Sequence, residues 1–202
     1  MKRFRVNISV YFAVIMACIV VLDHTGLAVL ALLCAGLHEA GHFVAIWLLK
    51  APVEEVSFKV FGVNIRLARD TQLSYTQEFA VSLSGCASNL LFAALSLVFY
   101  KAGVCIYQMQ ALFYMNLCLC AFNLLPIGPL DGGRALEAAL CGHLHYTTAH
   151  SIVSAVSAVF VVPLTFLGVF LLAKTGYNFS LLLAAVYLGA CIILKGRLLN
   201  FS

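Results

Sequence analysis

Charge is what this chain has least of. Asp, Glu, Lys and Arg make up 10% of its 202 residues, against about a quarter in an ordinary soluble domain. A chain so poor in charge cannot cover a globular surface with hydrated side chains, which excludes a soluble domain. The net charge is +4, and the basic residues are scattered rather than gathered on one face, so no nucleic-acid partner is expected. None of the eight cysteines (18, 34, 86, 105, 118, 120, 141 and 191) forms a Cys-x-x-Cys pair. That argues against a zinc ribbon, a redox motif or a disulfide framework, and a thiol in an apolar stretch behaves as a small hydrophobe. Cys34 stands apart, because it precedes His38 by four residues and shares its helix face. There is no internal repeat and no low-complexity tract.

Apolar residues fill the space that charge leaves: 63% of the chain is hydrophobic and the mean hydropathy is +1.03. The fold class expected is an all-α polytopic membrane protein of about six transmembrane helices. The spans are read at about residues 6–22, 27–49, 78–100, 104–125, 151–173 and 179–194, in a single integral-membrane domain over residues 1–202. The basic start Met1-Lys2-Arg3-Phe4-Arg5 and the apolar run after it resemble a signal peptide. No small-x-small cleavage site precedes Asp23 and more spans follow, so the segment reads as a retained first helix. With these spans Lys2, Arg3, Arg5, Lys50, Lys59, Arg66, Arg69, Arg134, Lys195 and Arg197 fall on one side, and Lys101 and Lys174 on the other. By the positive-inside rule both termini are cytoplasmic.

The second apolar run carries His38-Glu39-Ala40-Gly41-His42. Residues four apart on a helix lie on one face about 6 Å along the axis, so His38 and His42 can offer two imidazole nitrogens to one metal. Catalytic zinc takes three protein ligands and keeps one position for a water, whose proton a neighbouring carboxylate accepts; Glu39 is the candidate base. Chance gives such a pattern about 0.005 times in a chain of this composition, so its surroundings must decide. The two histidines could instead be buried and satisfied by neighbouring hydroxyls or carbonyls, an expensive arrangement at membrane depth.

Further along, residues 56–67 alternate apolar and polar positions about Phe61-Gly62, the pattern of a small membrane-associated β-hairpin between helices 2 and 3. An ordinary interfacial loop is the alternative. A hairpin would offer an open edge to an extended peptide. The third run contains Ser82-Leu83-Ser84-Gly85-Cys86-Ala87-Ser88-Asn89, small and hydroxylated residues of the kind that pack membrane helices closely. Asn89 is either an interhelical glue or a partner behind a metal ligand. The fourth run ends in Asn123-Leu124-Leu125-Pro126-Ile127-Gly128-Pro129-Leu130-Asp131-Gly132-Gly133-Arg134. Two prolines and three glycines forbid a regular helix, and unwound backbone at membrane depth is tolerated where protein or a water-filled cavity surrounds it. Asp131 is the carboxylate there that can complete a His-His-carboxylate set, although Asp-Gly is also a common turn pair. Asn123 could cap its helix or hold the substrate backbone or a developing oxyanion. Residues 134–150, with Cys141, His143, His145 and His150, read as a solvated connection, since their spacing matches no standard zinc signature.

The His38–His42 helix, the 123–134 segment with its Leu130-Asp131-Gly132 core and the six-span layout together resemble the site-2 protease family, peptidase M50, of intramembrane zinc metalloproteases. The likeness runs from about residue 27 to 134 and is nearest to the bacterial branch that includes the sporulation protease releasing a membrane-tethered sigma-factor precursor. The resemblance implies one Zn2+ held by His38, His42 and Asp131, and Glu39 as the group that activates the water. It also implies that Asn123 and Pro129 help hold the unwound substrate, that the hairpin presents substrate as a strand, and that the home is a bacterial cytoplasmic membrane. Where the family often has Ser-Gly-Pro, this chain has Ser84-Gly85-Cys86, so Cys86 stands where a proline would kink the helix. The 202 residues hold neither the nucleotide-sensing CBS domain of the sporulation branch nor a PDZ domain. Regulation is therefore expected to come through partner membrane proteins or through a first cut that trims the substrate.

The function expected is hydrolysis of a peptide bond in or beside the transmembrane segment of a membrane-tethered protein, near the cytoplasmic face, with that protein and the lipid bilayer as partners. The rival is a non-catalytic metal transporter or substrate-binding chaperone of the same fold. Against transport, the acidic and His residues concentrate at one place and spans five and six carry none.

Overall fold

The computed structural model describes residues 5–59, 62–68, 71–176 and 179–199. Lys2, Arg3, Val60, Phe61 and Arg69, which enter the charge count or the hairpin pattern, lie outside them. The chain divides into two compact units, one of residues 1–77 with 84–121 and one of residues 78–83 with 122–202.

In the first unit, strand β1 (Arg5–Ile8) leads into helix α1 (Val10–Leu22) and helix α2 (Leu27–Leu48). The apolar run expected as a helix from residue 6 thus begins as a strand. Its partner explains why: β1 pairs in parallel with β2 (Val53–Lys59), Val6 opposite Val56. At 1.5 Å per residue, the 13 residues of α1 reach about 20 Å, short of a 30 Å hydrocarbon layer. The turn before α2 is built by Asp23, whose Oδ1 accepts from the Thr25 N–H at 2.8 Å and whose Oδ2 accepts from the Ala28 N–H at 2.6 Å. Those bonds, led by the Thr25 hydroxyl, hold the Asp23 carboxyl below the usual carboxylate range.

The expected hairpin forms. β2 pairs antiparallel with β3 (Gly62–Leu67), with Val56 opposite Ile65 and a bulge between Val53 and Glu55. Val56 faces inward at 2% exposure, as the alternation requires. Glu55 ties the three strands together: it accepts from Asn7 Nδ2 at 2.8 Å and from Ser57 Oγ at 3.0 Å, and lies 3.4 Å from Arg66. The hydrogen bond from Asn7 and then that from Ser57 lower its pKa, with Arg66 adding to them. Among the described residues the sheet therefore has three strands, in the order β1-β2-β3, rather than two.

Helix α3 (Tyr75–Lys101) opens with a capping box, the Ser74 hydroxyl accepting from the Gln77 N–H and the Gln77 side chain from the Ser74 N–H. It is assigned as one continuous helix through Cys86. Helix α4 (Ile106–Asn123) follows and stops three residues before Pro126, as a residue preceding proline is pushed out of the helical region.

In the second unit, helices α5 (Asp131–Cys141), α6 (Tyr146–Thr175) and α7 (Ser180–Leu199) follow one another, with α6 packed on both neighbours. Gly168 lets α6 approach α7: a Cβ there would stand 2.8 Å from Leu182 Cα. The solvated connection expected over residues 134–150 is instead largely helical. Ala135, Ala138 and Cys141 recur at a spacing of three, and all three are buried, so α5 is amphipathic. His143 and His145 are exposed, whereas His150 is buried, its Nδ1 2.8 Å from Glu137 Oε1.

Among the described residues, three helices are long and apolar enough to cross a membrane: Leu27–Leu48, Tyr75–Lys101 and Tyr146–Thr175. Val10–Leu22 and Ser180–Leu194 are shorter apolar helices.

Candidate metal centre

Helix α2 brings His38 and His42 onto one face, as their spacing requires. His38 is buried at 6% exposure and His42 half-buried, and their Nε2 atoms stand 3.3 Å apart. Two Zn–N bonds of 2.0–2.1 Å at a tetrahedral angle separate their nitrogens by about 3.3–3.4 Å. The pair therefore has the span of two ligands of one zinc ion. Glu39, half-buried, follows His38 on the same helix.

Helix α3 supplies the other wall. His38 Nδ1 lies 2.8 Å from Asn89 Oδ1, and His42 Nδ1 lies 3.3 Å from Ser84 Oγ. Both rings are thus held at Nδ1 while Nε2 faces Nε2, the arrangement that orients metal-bound histidines. The interhelical contact depends on small residues. A Cβ on Gly85 would meet His42 Nε2 at 2.5 Å and His38 Cε1 at 2.7 Å, and one on Gly41 would meet the Ser84 carbonyl oxygen at 2.6 Å. Gly85 thus leaves open the volume beside the two imidazoles. Ser88 Oγ, 2.7 Å from the Leu37 carbonyl oxygen, adds a bond from α3 to α2. The cluster of residues 82–89 therefore packs helices and also frames the histidines. Asn89 is fully buried and meets His38 across the contact between α3 and α2.

The second unit holds the other three residues singled out by sequence. Asn123 is the last residue of α4, half-buried; Pro129 lies half-buried in the following turn; Asp131 opens α5, buried at 7% exposure. The turns between them are closed by the backbone, with Ile127 N–H to the Leu125 carbonyl at 2.7 Å and Leu130 N–H to the Ile127 carbonyl at 2.8 Å. Ser157 of α6 accepts from the Gly128 N–H at 2.9 Å and donates to the Val153 carbonyl at 2.6 Å. Gly132 and Gly133 carry no side chain for a steric reason. A Cβ on either would run into the carbonyl of Leu124 or of Ile127. The first turn of α5 thus rests directly on the backbone that precedes it, and Asp131 stands at the helix N-terminus, where a carboxylate is favoured.

Sequence reasoning passed over Asn116. It sits on α4 at 1% exposure, accepts from Asn89 Nδ2 at 3.2 Å, and donates to the Leu112 carbonyl at 2.8 Å and to Cys34 Sγ at 3.2 Å. An amide in the middle of a hydrophobic helix was the available signal.

A profile described as Peptidase family M50 matches residues 100–164. Stage IV sporulation protein FB of Bacillus subtilis (strain 168) is 24% identical over 147 residues, 72% of this chain and 51% of that protein. A provisionally named zinc metalloprotease of Synechocystis sp. is 32% identical over 105 residues, 50% of this chain and 27% of that protein. The chain thus spans about half of one of these relatives and about a quarter of the other. Among solved structures, the site-2 protease from Methanocaldococcus jannaschii has the same fold, with a TM-score of 0.64 at 18% identity over 91% of this chain and 86% of that one. Zinc is the metal in the Synechocystis protein's name, and the imidazole pair of α2 has the spacing that a zinc ion takes. The chain is thus similar to peptidase family M50 over residues 100–164, to a sporulation protein and a zinc metalloprotease in sequence, and to a site-2 protease in fold.

Proposed function

We propose that this protein is an intramembrane zinc metalloendopeptidase, and that residues 1–202 act as one protease domain of about six spans. The observation that carries the reading is the His38–His42 pair: two Nε2 atoms 3.3 Å apart, with Glu39 between them in sequence. His38, His42 and Asp131 are the ligands, Asp131 on the strength of the order and separation of the two motifs. When bound, zinc supplies a Lewis acid that lowers the pKa of a water towards 7. Glu39 takes the proton of that water and returns it to the leaving amine. Asn89 keeps His38 turned to the metal, and the side chain of Asn123, with the irregular turn at Pro129, holds the substrate backbone near the reacting carbonyl.

The substrate class is a membrane-anchored protein, such as a tethered transcription or sigma factor, cut in or beside its transmembrane segment near the cytoplasmic face. A helix must unwind before its scissile bond is exposed, so segments with Gly, Pro or Asn are favoured. The hairpin β2-β3 offers a sheet edge suited to an extended segment. The location that fits is a bacterial cytoplasmic membrane with both termini cytoplasmic, from the charge distribution.

The test is co-expression with a tethered reporter. Glu39→Gln, accumulated to the wild-type level, should cut about 10²–10⁴-fold more slowly, the range for loss of a general base, while keeping its zinc. Continued cleavage at the wild-type rate overturns the reading. Zinc content unchanged by Asp131→Ala would remove Asp131 from the ligand set, and metal uptake into vesicles would favour a transporter.

A further inference from the structure

We propose that Asn116 is a positioning residue for the metal centre, acting on His38 through Asn89; the inference rests on the metalloprotease reading above. The chain of bonds runs from α4 through α3 to α2, and one backbone group sets its direction. Asn116 lies 2.8 Å from the Leu112 carbonyl oxygen, a pure acceptor, so the atom facing it must be the Nδ2 donor. Its other N–H goes to Cys34 Sγ at 3.2 Å. Asn116 therefore turns Oδ1 towards Asn89. That oxygen takes the Asn89 Nδ2 at 3.2 Å, which leaves Asn89 Oδ1 for His38 Nδ1 at 2.8 Å. An oxygen at that position requires a proton on Nδ1, so Nε2 carries the lone pair that a metal needs.

Without Asn116 the Asn89 amide loses its reason to choose. Flipped, it would present Nδ2 to Nδ1 and favour the tautomer with its proton on Nε2, the wrong one for a ligand. Asn89 at 0% and Asn116 at 1% exposure have no bulk water to substitute for the missing partner. The polarity of a carbonyl four residues before Asn116 is thus carried by two amides to the face of a ligand on another helix.

The experiment uses full-length protein in nanodiscs, labelled with 15N-histidine, with His38→Gln identifying the His38 signals. Metal-free wild type should show His38 protonated at Nδ1; a wild-type His38 protonated at Nε2 overturns the proposal without any variant. Asn116→Leu should populate the Nε2–H tautomer and weaken zinc retention against a chelator about 10–100-fold, the range for lost partners behind a ligand. Asn116→Asp, whose neutral carboxyl can donate to Leu112 and accept from Asn89, should keep the wild-type tautomer. In an Asn89→Asp background either oxygen accepts from Nδ1, so adding Asn116→Leu should change zinc retention by less than about threefold. An equal loss in both backgrounds, or an unchanged tautomer in Asn116→Leu, overturns the proposal. Absence of His38-dependent zinc binding in the wild type would sink the metalloprotease reading instead, and the tautomer measurement would still decide the role of Asn116.

Discussion

The histidine face of α2 and the turn over residues 123–134 are built by opposite means. Around His38 and His42, side chains do the holding: Asn89, Ser84 and Asn116 fix ring orientation across three helices. In the turn, the backbone does it, through short carbonyl bonds and two glycines pressed onto carbonyl oxygens. A centre held by side chains can be weakened in steps, because one partner at a time is removed. A turn held by backbone contact has no slack, and any side chain added there must move main chain.

The sharpest way to break the comparison is to add one methyl to each region. Gly133→Ala would drive a Cβ into the Ile127 carbonyl, and should cost about 3 kcal/mol or more of stability, read as a lowered thermal midpoint in detergent. Gly85→Ala adds its methyl against His42 Nε2 and His38 Cε1, where imidazoles can tilt. The fold should persist, with zinc retention falling about 100-fold, the upper range for disturbed ligand orientation; chelator competition measures it. Should Gly85→Ala unfold the protein and Gly133→Ala spare it, the contrast between the two regions fails.

A smaller effect is expected where a side chain does serve the turn. Ser157→Ala removes the acceptor of the half-buried Gly128 N–H, at about 1 kcal/mol for a hydrogen bond lost, and denaturant titration would show it. The smallest concerns the Asp23 cap at the surface of the first unit. Its carboxyl is held below the unfolded value, so its contribution is present above about pH 4 and fades as pH falls through the lower folded value. Amide exchange at Ala28 should accelerate relative to the helix interior in that range, and Asp23→Asn should abolish the difference.

How much of this was legible depends on how local each signal is. The alternation about Val56 forms the hairpin expected of it, and Pro126, Gly128 and Pro129 mark the break between α4 and α5, whereas Gly132 and Gly133 lie within the first turn of α5. The first span was misplaced at its start because Arg5–Ile8 is a strand only by virtue of β2, some fifty residues on. Residues 134–150 read as a loop because their polar residues mask the buried spacing of Ala135, Ala138 and Cys141. That spacing was present in the sequence and could have been used.

By itself the sequence determined that the chain is apolar, that His38 and His42 share a helix face, and that residues 123–134 cannot be helical throughout. Each follows from composition or from the geometry of a few consecutive residues. Tertiary structure alone decided that Asn89 meets His38 across 51 positions, that Asn116 meets Cys34 across 82, and that Gly85 leaves room for the imidazoles. Those facts depend on which helices lie side by side, and among helices as apolar as α2, α3 and α4, hydrophobic periodicity does not choose between neighbours; close packing and the pairing of buried polar groups do.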